Sequence, residues 1–395
     1  MILQKIPPFL LAAVFLLVNS GCKTQPLSGP SGKITLSAGW KPVVYLIQPR
    51  QFLEIASNYG GIVIDSAAVG VDGRFSFPAL PEQVKAGLFE LCVQPVGSRY
   101  ANQLLDDNPL LSNYMPIILE PGVPTYITAE AARFQASFSF DQPSEDNNAL
   151  LRLRDIRHAS FQQHMAGHTE APDENNLLEH EAAVLHFREP LMAFADSTRQ
   201  FLPALTAIRW VSPEADYERV PEFMAMQCLK WTTETHDDPR AQQLCQTARF
   251  DKLPLLVGQQ MPDFSMPMVS GDTSALYTLL GRQLTVVDIW ASWCAPCRRE
   301  NREVLAPLYK EFRENGLQII GYSIDSSPEA WKNAIAKDSA VWPHASHLTG
   351  DETPFMQALR IKTIPANFVL DGKGKVIGKN LHGDRLRDLV REYVK

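Results

Sequence analysis

Three patterns of apolar and polar positions follow one another along the chain. From 33 to about 140, short apolar or alternating runs are separated by turn residues: KITLS (33–37), VVYLIQ (43–48), IVIDSAAV (62–69), RFSFP (74–78), LFELCVQ (88–94), PIILE (116–120), TYIT (125–128) and FQASFSF (134–140). Each run predicts a strand, and Asp72-Gly73 between two of them predicts a hairpin turn. Short strands at such spacing make a β-sandwich or a small barrel. From 145 to 250 the period changes. Apolar residues recur at three or four positions, which predicts helices over LLRLRDIRHASFQQHM, LLEHEAAVLHFREPLMAFADSTRQFL, EADYERVPEFMAMQCLKWTTE and PRAQQLCQTARF.

From about 255 onward strands and helices alternate. LTVVDIW (284–290) reads as a strand, RRENREVLAPLYKEFRENG (298–316) as a helix closed by a glycine, LQIIGYSID (317–325) as a strand and SPEAWKNAIAKD (327–338) as a helix. ANFVLD (366–371) and VIGK (376–379) flank a Gly-Lys-Gly turn, and DRLRDLVREYV (384–394) closes the chain as a helix. Alternation of this kind builds βαβ units around an α/β sheet. The expected organisation is a β-rich domain over 32–142, a helical segment over 143–252 and an α/β domain over 253–395, with no internal repeat.

The first residues have another logic. Lys5 precedes Phe9–Val18, ten apolar residues in a row. A membrane-spanning helix needs about 20, so this run suits an export signal. Asn19-Ser20-Gly21-Cys22 follows and resembles a bacterial lipobox, although Asn19 stands where an apolar residue is usual. The expectation is a signal over 1–22, lipidation of Cys22, a polar tether over 23–31, and a periplasm-facing protein held to a membrane by its lipid. Ordinary cleavage near Gly21 is the plainer alternative. The formal charge is −7 with 21 % charged residues, a soluble composition that argues against a nucleic-acid partner.

Export changes what the six cysteines mean, because disulfides persist outside the cytosol. Cys92 sits in an apolar run and reads as a small core residue. Cys228 and Cys245 lie equally far from a turn about His236-Asp237, so two antiparallel helices would bring them to one height as a structural disulfide. Cys294 and Cys297 form WCAPC (293–297) between a strand and a helix. A zinc site would need a second pair of ligands, and His344 and His347 lie in another connection. A structural bridge over two residues would close almost no chain. The order strand, CxxC, helix reads as a redox motif.

Position assigns the roles. Cys294 would begin the helix, where unpaired N–H groups favour a thiolate that attacks a partner's disulfide. Cys297, one turn further in, would resolve the mixed disulfide. Pro296 suits the first turn beside Ala295, and Trp293 and Trp290 would shield the site, with core packing the simpler reading for Trp290. Asp288, alone in an apolar strand, would have its pKa raised by burial and could take the proton of Cys297. Glu300 shares the helix face of Cys297 and reads equally as a second carboxylate for that thiol or as a solvated helix charge. A cis bond between Ile364 and Pro365 would expose the Ile364 backbone to an incoming chain; an ordinary trans proline at a strand start is the alternative.

MPDF (261–264), VVDIWASWCAPCRRE (286–300), IIGYSID (319–325) and TIPANFVLDGKGKVIG (363–378) together resemble the TlpA/ResA-like branch of the thioredoxin superfamily. The resemblance implies a thioredoxin-like carboxy-terminal domain, Cys294 as attacking and Cys297 as resolving thiol, and Pro365 as the cis-proline. It also puts Asp288 where thioredoxin has its buried aspartate and Glu300 where the ResA-like branch has a glutamate. Asn301-Arg302 departs from the apolar-Pro step usual after that glutamate. DSAAVGVDGRFSF (65–77) resembles the β-rich domain that precedes such modules in envelope lipoproteins. The implied work is thiol–disulfide exchange without a cofactor, on protein thiols or disulfides, fed by a membrane thiol electron donor, with cytochrome c maturation or general envelope redox homeostasis as settings. A peroxiredoxin-like peroxidase would need Thr or Ser and Pro where Ala291 and Val287 stand. A partner-binding lipoprotein, with the thioredoxin module secondary, is the rival of another class. The uncharged Ala-Pro step favours a reductant over a strong oxidant without deciding the direction. His164 and His168 read as solvated helix-face residues rather than metal ligands.

Overall fold

The computed structural model describes residues 27–394 apart from 107, 169–172, 174, 175, 236 and 250. The signal run, the lipidation residue Cys22 and the first part of the tether lie outside the described residues, as does His236 in the turn between the two cysteine-bearing helices.

The amino-terminal region contains β1 (Ser31–Thr35), β2 (Trp40–Gln48), β3 (Ile62–Ala68), β4 (Arg74–Ser76), β5 (Gly87–Pro95), β6 (Tyr114–Leu119), β7 (Tyr126–Glu130) and β8 (Ser139–Asp141). They form two four-stranded sheets, ordered β4-β1-β7-β8 and β3-β2-β5-β6. Gly73 takes φ of 82° in the turn before β4, a conformation that favours glycine. All six residues of β6 are buried, so this strand is covered on both faces.

The second cover is helical. The chain continues through α1 (Phe134–Ser137), α2 (Glu145–His164), α3 (Leu177–Ser197), α4 (Phe201–Val211), α5 (Pro221–Glu234) and α6 (Pro239–Thr247). The Asn147 side chain of α2 both donates to and accepts from the Ile118 backbone, each at 2.8 Å. Trp210 of α4 donates to the Tyr114 hydroxyl at 2.8 Å. One continuous hydrophobic core runs from Leu27 to Leu253, so sheets and helices fold on each other.

Four stretches differ from the sequence pattern. Asp72-Gly73 makes a turn, but the runs it joins do not pair as a hairpin, since β3 and β4 lie in different sheets. FQASFSF is not one strand: its first half is α1, where Phe134 and Phe138 pack edge to face one turn apart and Gln135 donates to the Tyr114 carbonyl. The helix expected to continue through 202 stops at Ser197. Lys230 binds the carbonyls of Ala195, Asp196 and Thr198 at 2.7–2.9 Å, satisfying groups a helix end leaves open. Residues 214–220 are a loop. Ser212 Oγ accepts from Asp216 N, Asp216 accepts from Glu218 N, and Pro221 then sets the start of α5.

The carboxy-terminal region begins with a short hairpin, β9 (Ser265–Pro267) and β10 (Thr273–Ala275). Then come β11 (Leu284–Trp290), α7 (Ala295–Glu300), a π-turn over Asn301–Leu305, α8 (Ala306–Phe312), β12 (Leu317–Ser323), α9 (Pro328–Lys337), β13 (His344–Ser346), α10 (Pro354–Leu359), β14 (Ala366–Asp371), β15 (Val376–Lys379) and α11 (Gly383–Tyr393). The mixed sheet is ordered β13-β12-β11-β14-β15, with β11 central and buried at every residue. Val287 and Ile289 face one hydrophobic layer, which includes both cysteines; Leu284 and Val286 face the other, with Leu308, Leu386 and Val390. Alternation puts Asp288 on that second side, under the helix that carries Cys297. Among the described residues no helix is long and apolar enough to cross a membrane.

Candidate active site

The strand end and the helix start fix the cysteine pair. Cys294 caps α7 in an extended conformation, and its sulfur accepts from Cys297 N at 3.3 Å. The two sulfurs are bonded, with Cα atoms 5.3 Å apart. Both are buried, Cys294 at 5 % exposure and Cys297 at 2 %. Pro296 is buried in the first turn and Ala295 half-buried. Trp293 stands out into solvent at 63 %, whereas Trp290 is core, with its ring against His344. The Ile364–Pro365 bond is cis; Pro365 is buried, and Ile364 is half-buried against the layer that holds the cysteines.

Two carboxylates lie beneath the pair. Asp288 is 5 % exposed, and no hydrogen-bond donor among the described residues reaches its carboxylate. Burial pushes its pKa well above the usual carboxylate value, and the nearby charge of Glu300 pushes the same way. Glu300 is not a solvated helix charge. It is 5 % exposed and accepts from His382 Nδ1 at 2.9 Å and Gly383 N at 3.2 Å, at the start of α11. The partner is 82 residues away, which is why helix spacing alone left this residue undecided.

Other side chains hold the site from behind. Asp325, 2 % exposed, accepts from both the backbone N and the hydroxyl of Ser292, at 2.9 and 2.6 Å. Arg298 donates to the Ser292 carbonyl at 3.1 Å and pairs with the buried carboxylate of Asp338. Neither role was read from the sequence, although Asp325 ends one of the strand-like runs and is as unexpected there as Asp288. The π-turn follows directly, with Asn301 fully buried, so the helix is widened here, just ahead of Pro307 in the first turn of α8.

The helical segment also reaches the site. Glu218 accepts from Lys362 N, Thr363 N and Thr363 Oγ1 at 3.1, 3.3 and 3.0 Å. Arg219 donates to the Pro365 carbonyl at 3.3 Å and to Glu181 at 3.1 Å. Both residues come from the stretch whose pattern predicts helix, and nothing in sequence spacing links them to the cis-proline loop.

The remaining cysteines and histidines lie elsewhere. Cys228 and Cys245 are bonded between α5 and α6, 17 residues apart, and half-buried. Cys92 is fully buried and free. His164 lies against His186 and His168 against His180, across α2 and α3 and the turn between them. His344 bonds Ala340 O and His347 bonds the Tyr322 hydroxyl. Among the described residues no group of three or more such side chains could hold a metal ion.

A family profile described as AhpC/TSA family matches residues 257–379. Thiol-disulfide oxidoreductase ResA of Bacillus thuringiensis is 26 % identical over 139 residues, 35 % of this chain and 77 % of the relative. Thiol:disulfide interchange protein DsbE of Allochromatium vinosum is 36 % identical over 77 residues, 19 % of this chain and 40 % of the relative. The solved structure of a thiol-disulfide oxidoreductase from Bacteroides fragilis is 30 % identical, covers 34 % of this chain and 98 % of its own, and has a TM-score of 0.32.

A thioredoxin-like domain with a cysteine pair at its first long helix defines a thiol–disulfide oxidoreductase, and that is the class of this enzyme. Within the class, its carboxy-terminal domain is of the TlpA/ResA-like kind of the thioredoxin superfamily. Protein thiols and disulfides are the substrates this implies.

Proposed function

We propose that the protein reduces disulfides of client proteins outside the cytosol, through Cys294 and Cys297. The reading is carried by the capping position of Cys294, with Cys297 one turn deeper and Asp288 buried beneath it. The Cys294 thiolate attacks one sulfur of the client disulfide; a Cys294–client bond forms and the first client thiolate leaves. Asp288, held uncharged more readily by its burial, takes the proton of Cys297 as the next step begins. The Cys297 sulfur attacks Cys294, the enzyme disulfide closes and the second client thiolate leaves. Two electrons have passed to the client, whose two thiolates take up protons. A dithiol donor of the membrane must then reduce the enzyme again. The apolar run at 9–18 and Cys22 support a lipid-anchored, envelope-facing protein, and a cytochrome c precursor is the kind of client whose thiols need such a reductant.

The test is trapping. Reduced C297A, mixed with a disulfide-bonded peptide, is expected to give a covalent adduct on Cys294 that dithiothreitol releases. Adduct no greater than in a C294A control would overturn the reading. Equilibration in thiol buffers then sets direction: a potential near about −270 mV supports a reductant, and one near about −120 mV makes the protein a disulfide donor.

A further inference from the structure

A cleft of about 600 Å³ lies between α3 and the β15–α11 edge, and neither cysteine lines it. It adjoins a smaller cavity of about 210 Å³ lined by Pro296 and Glu300: Leu178 lines both, and His382 lines the larger while Gly383 lines the smaller. Thr363, next to the Ile364–Pro365 bond, lines the larger cleft too.

The charged groups in the cleft do not cancel. Two of its three carboxylates are held in ion pairs, and the third takes a backbone N–H. Glu222 holds Lys379 at 2.7 Å, Glu181 holds Arg219 at 3.1 Å, and Asp216 accepts from Glu218 N at 3.1 Å. Its cations are not all engaged. Arg188 makes no hydrogen bond or ion pair within bonding reach among the described residues, although it is only partly exposed. Burial lowers the pKa of this guanidinium, and Asp216, Tyr217, Glu214 and Glu181 around it offset that only in part, so its charge is held there at a cost. Nη1 of Arg219 is buried without a partner, and so is Nε2 of His382, whose Nδ1 is on Glu300. Arg385, exposed on α11, lines the same cleft. Unmet donors around an open volume ask for an anionic acceptor, and a guanidinium fork matches a carboxylate.

We infer that this cleft receives the carboxylate of an acidic side chain flanking the client's disulfide, with Arg188 as its principal partner. The inference rests on Cys294 and Cys297 as the exchanging pair. A client strand laid against Ile364 runs on past Thr363, so its next side chains face this cleft. Arg219, on both Pro365 O and the cleft, ties the two together.

The experiment uses the full chain in its reduced form and peptide disulfides that differ only by Glu or Gln beside the cysteine, on either flank. At low salt, Glu on one flank is expected to react about 10-fold faster than Gln, the scale of one charge-assisted hydrogen bond. R188Q should bring the two peptides within about twofold, and R188K, which keeps the charge but lacks the fork, should keep only part of the preference. R385Q, at an exposed position, should lower the preference by a smaller factor. If R188Q does not fold, the wild-type comparison and R385Q decide. Equal rates for Glu and Gln peptides overturn the inference and leave the exchange chemistry standing. A dependence on Arg188 seen with glutathione disulfide but with no peptide also overturns it, since the cleft would then serve a small anion. If no peptide of either kind reacts at Cys294, the exchange chemistry itself fails and the inference falls with it.

Discussion

The two bonded cysteine pairs make opposite use of the same bond. Cys228–Cys245 ties two helices through cysteines 17 residues apart; Cys294–Cys297 closes a loop of three within one helix start. The pair assigned to exchange is the more buried of the two. Exposure is therefore not what separates a working pair from a staple here. The difference lies in what surrounds the sulfur. One pair has a helix start, two buried carboxylates and the cis-proline loop; the other joins the flanks of two helices, with Cys228 packed against the amino-terminal core. On the proposed function the first pair breaks and reforms, and the second gains from the chain it closes.

The sharpest way to break this comparison is to remove each pair in turn. Cys294→Ser should lower disulfide-exchange activity at least about 1000-fold, as loss of a nucleophile does, with little change in unfolding by denaturant. The Cys228→Ser/Cys245→Ser double variant should do the reverse: activity kept, stability lower by about 3 kcal/mol, the scale for closing such a loop. Matching losses of activity in both would erase the distinction.

Asp288→Asn should slow release of the Cys294 adduct by about 10- to 100-fold, read by stopped-flow under single turnover. Its effect on stability has a definite sign. The folded protein prefers Asp288 protonated, so the stability it contributes is present at low pH and is lost as pH rises through its raised value. The amide does not ionise. The variant should match wild type near pH 4 and become the more stable of the two as pH rises, by denaturant midpoints. A gap that shrinks with rising pH would show that burial is not what governs this carboxylate. The smallest effect is at Glu218→Gln. It leaves an acceptor for the Lys362 and Thr363 N–H groups but removes the charge, and should slow attack on a client peptide by about threefold.

Much of the fold was legible because periodicity reports burial. The strands up to 128 and the alternation after 284 both follow from it, and the CxxC after an apolar strand pointed to the class of enzyme. What escaped was set by distant partners. Glu300 could not be decided until His382 was beside it. Residues 214–220 have a helical pattern, yet side-chain caps and Pro221 turn them into the loop that carries Glu218 and Arg219 to the active site. Phe134 and Phe138 fit either a strand or a helix by pattern, and Gln135 decided for helix by reaching the Tyr114 carbonyl. Asp325 shows the limit from the other side: a lone carboxylate at a strand end is visible in sequence, but its client, the Ser292 backbone, is not.

The Glu218 contacts bear on modularity. A thioredoxin-like domain looks like a cassette that could be cut out and moved between chains. In this protein the loop beside its cis-proline gives three hydrogen bonds to a carboxylate 144–145 residues upstream, and its Pro365 carbonyl accepts one from the neighbouring arginine. Excised alone, the domain would present that loop to water with its spacing no longer enforced. The helical segment is thus part of the instrument rather than its handle, and any graft that keeps only the cassette leaves behind the piece that sets the aim.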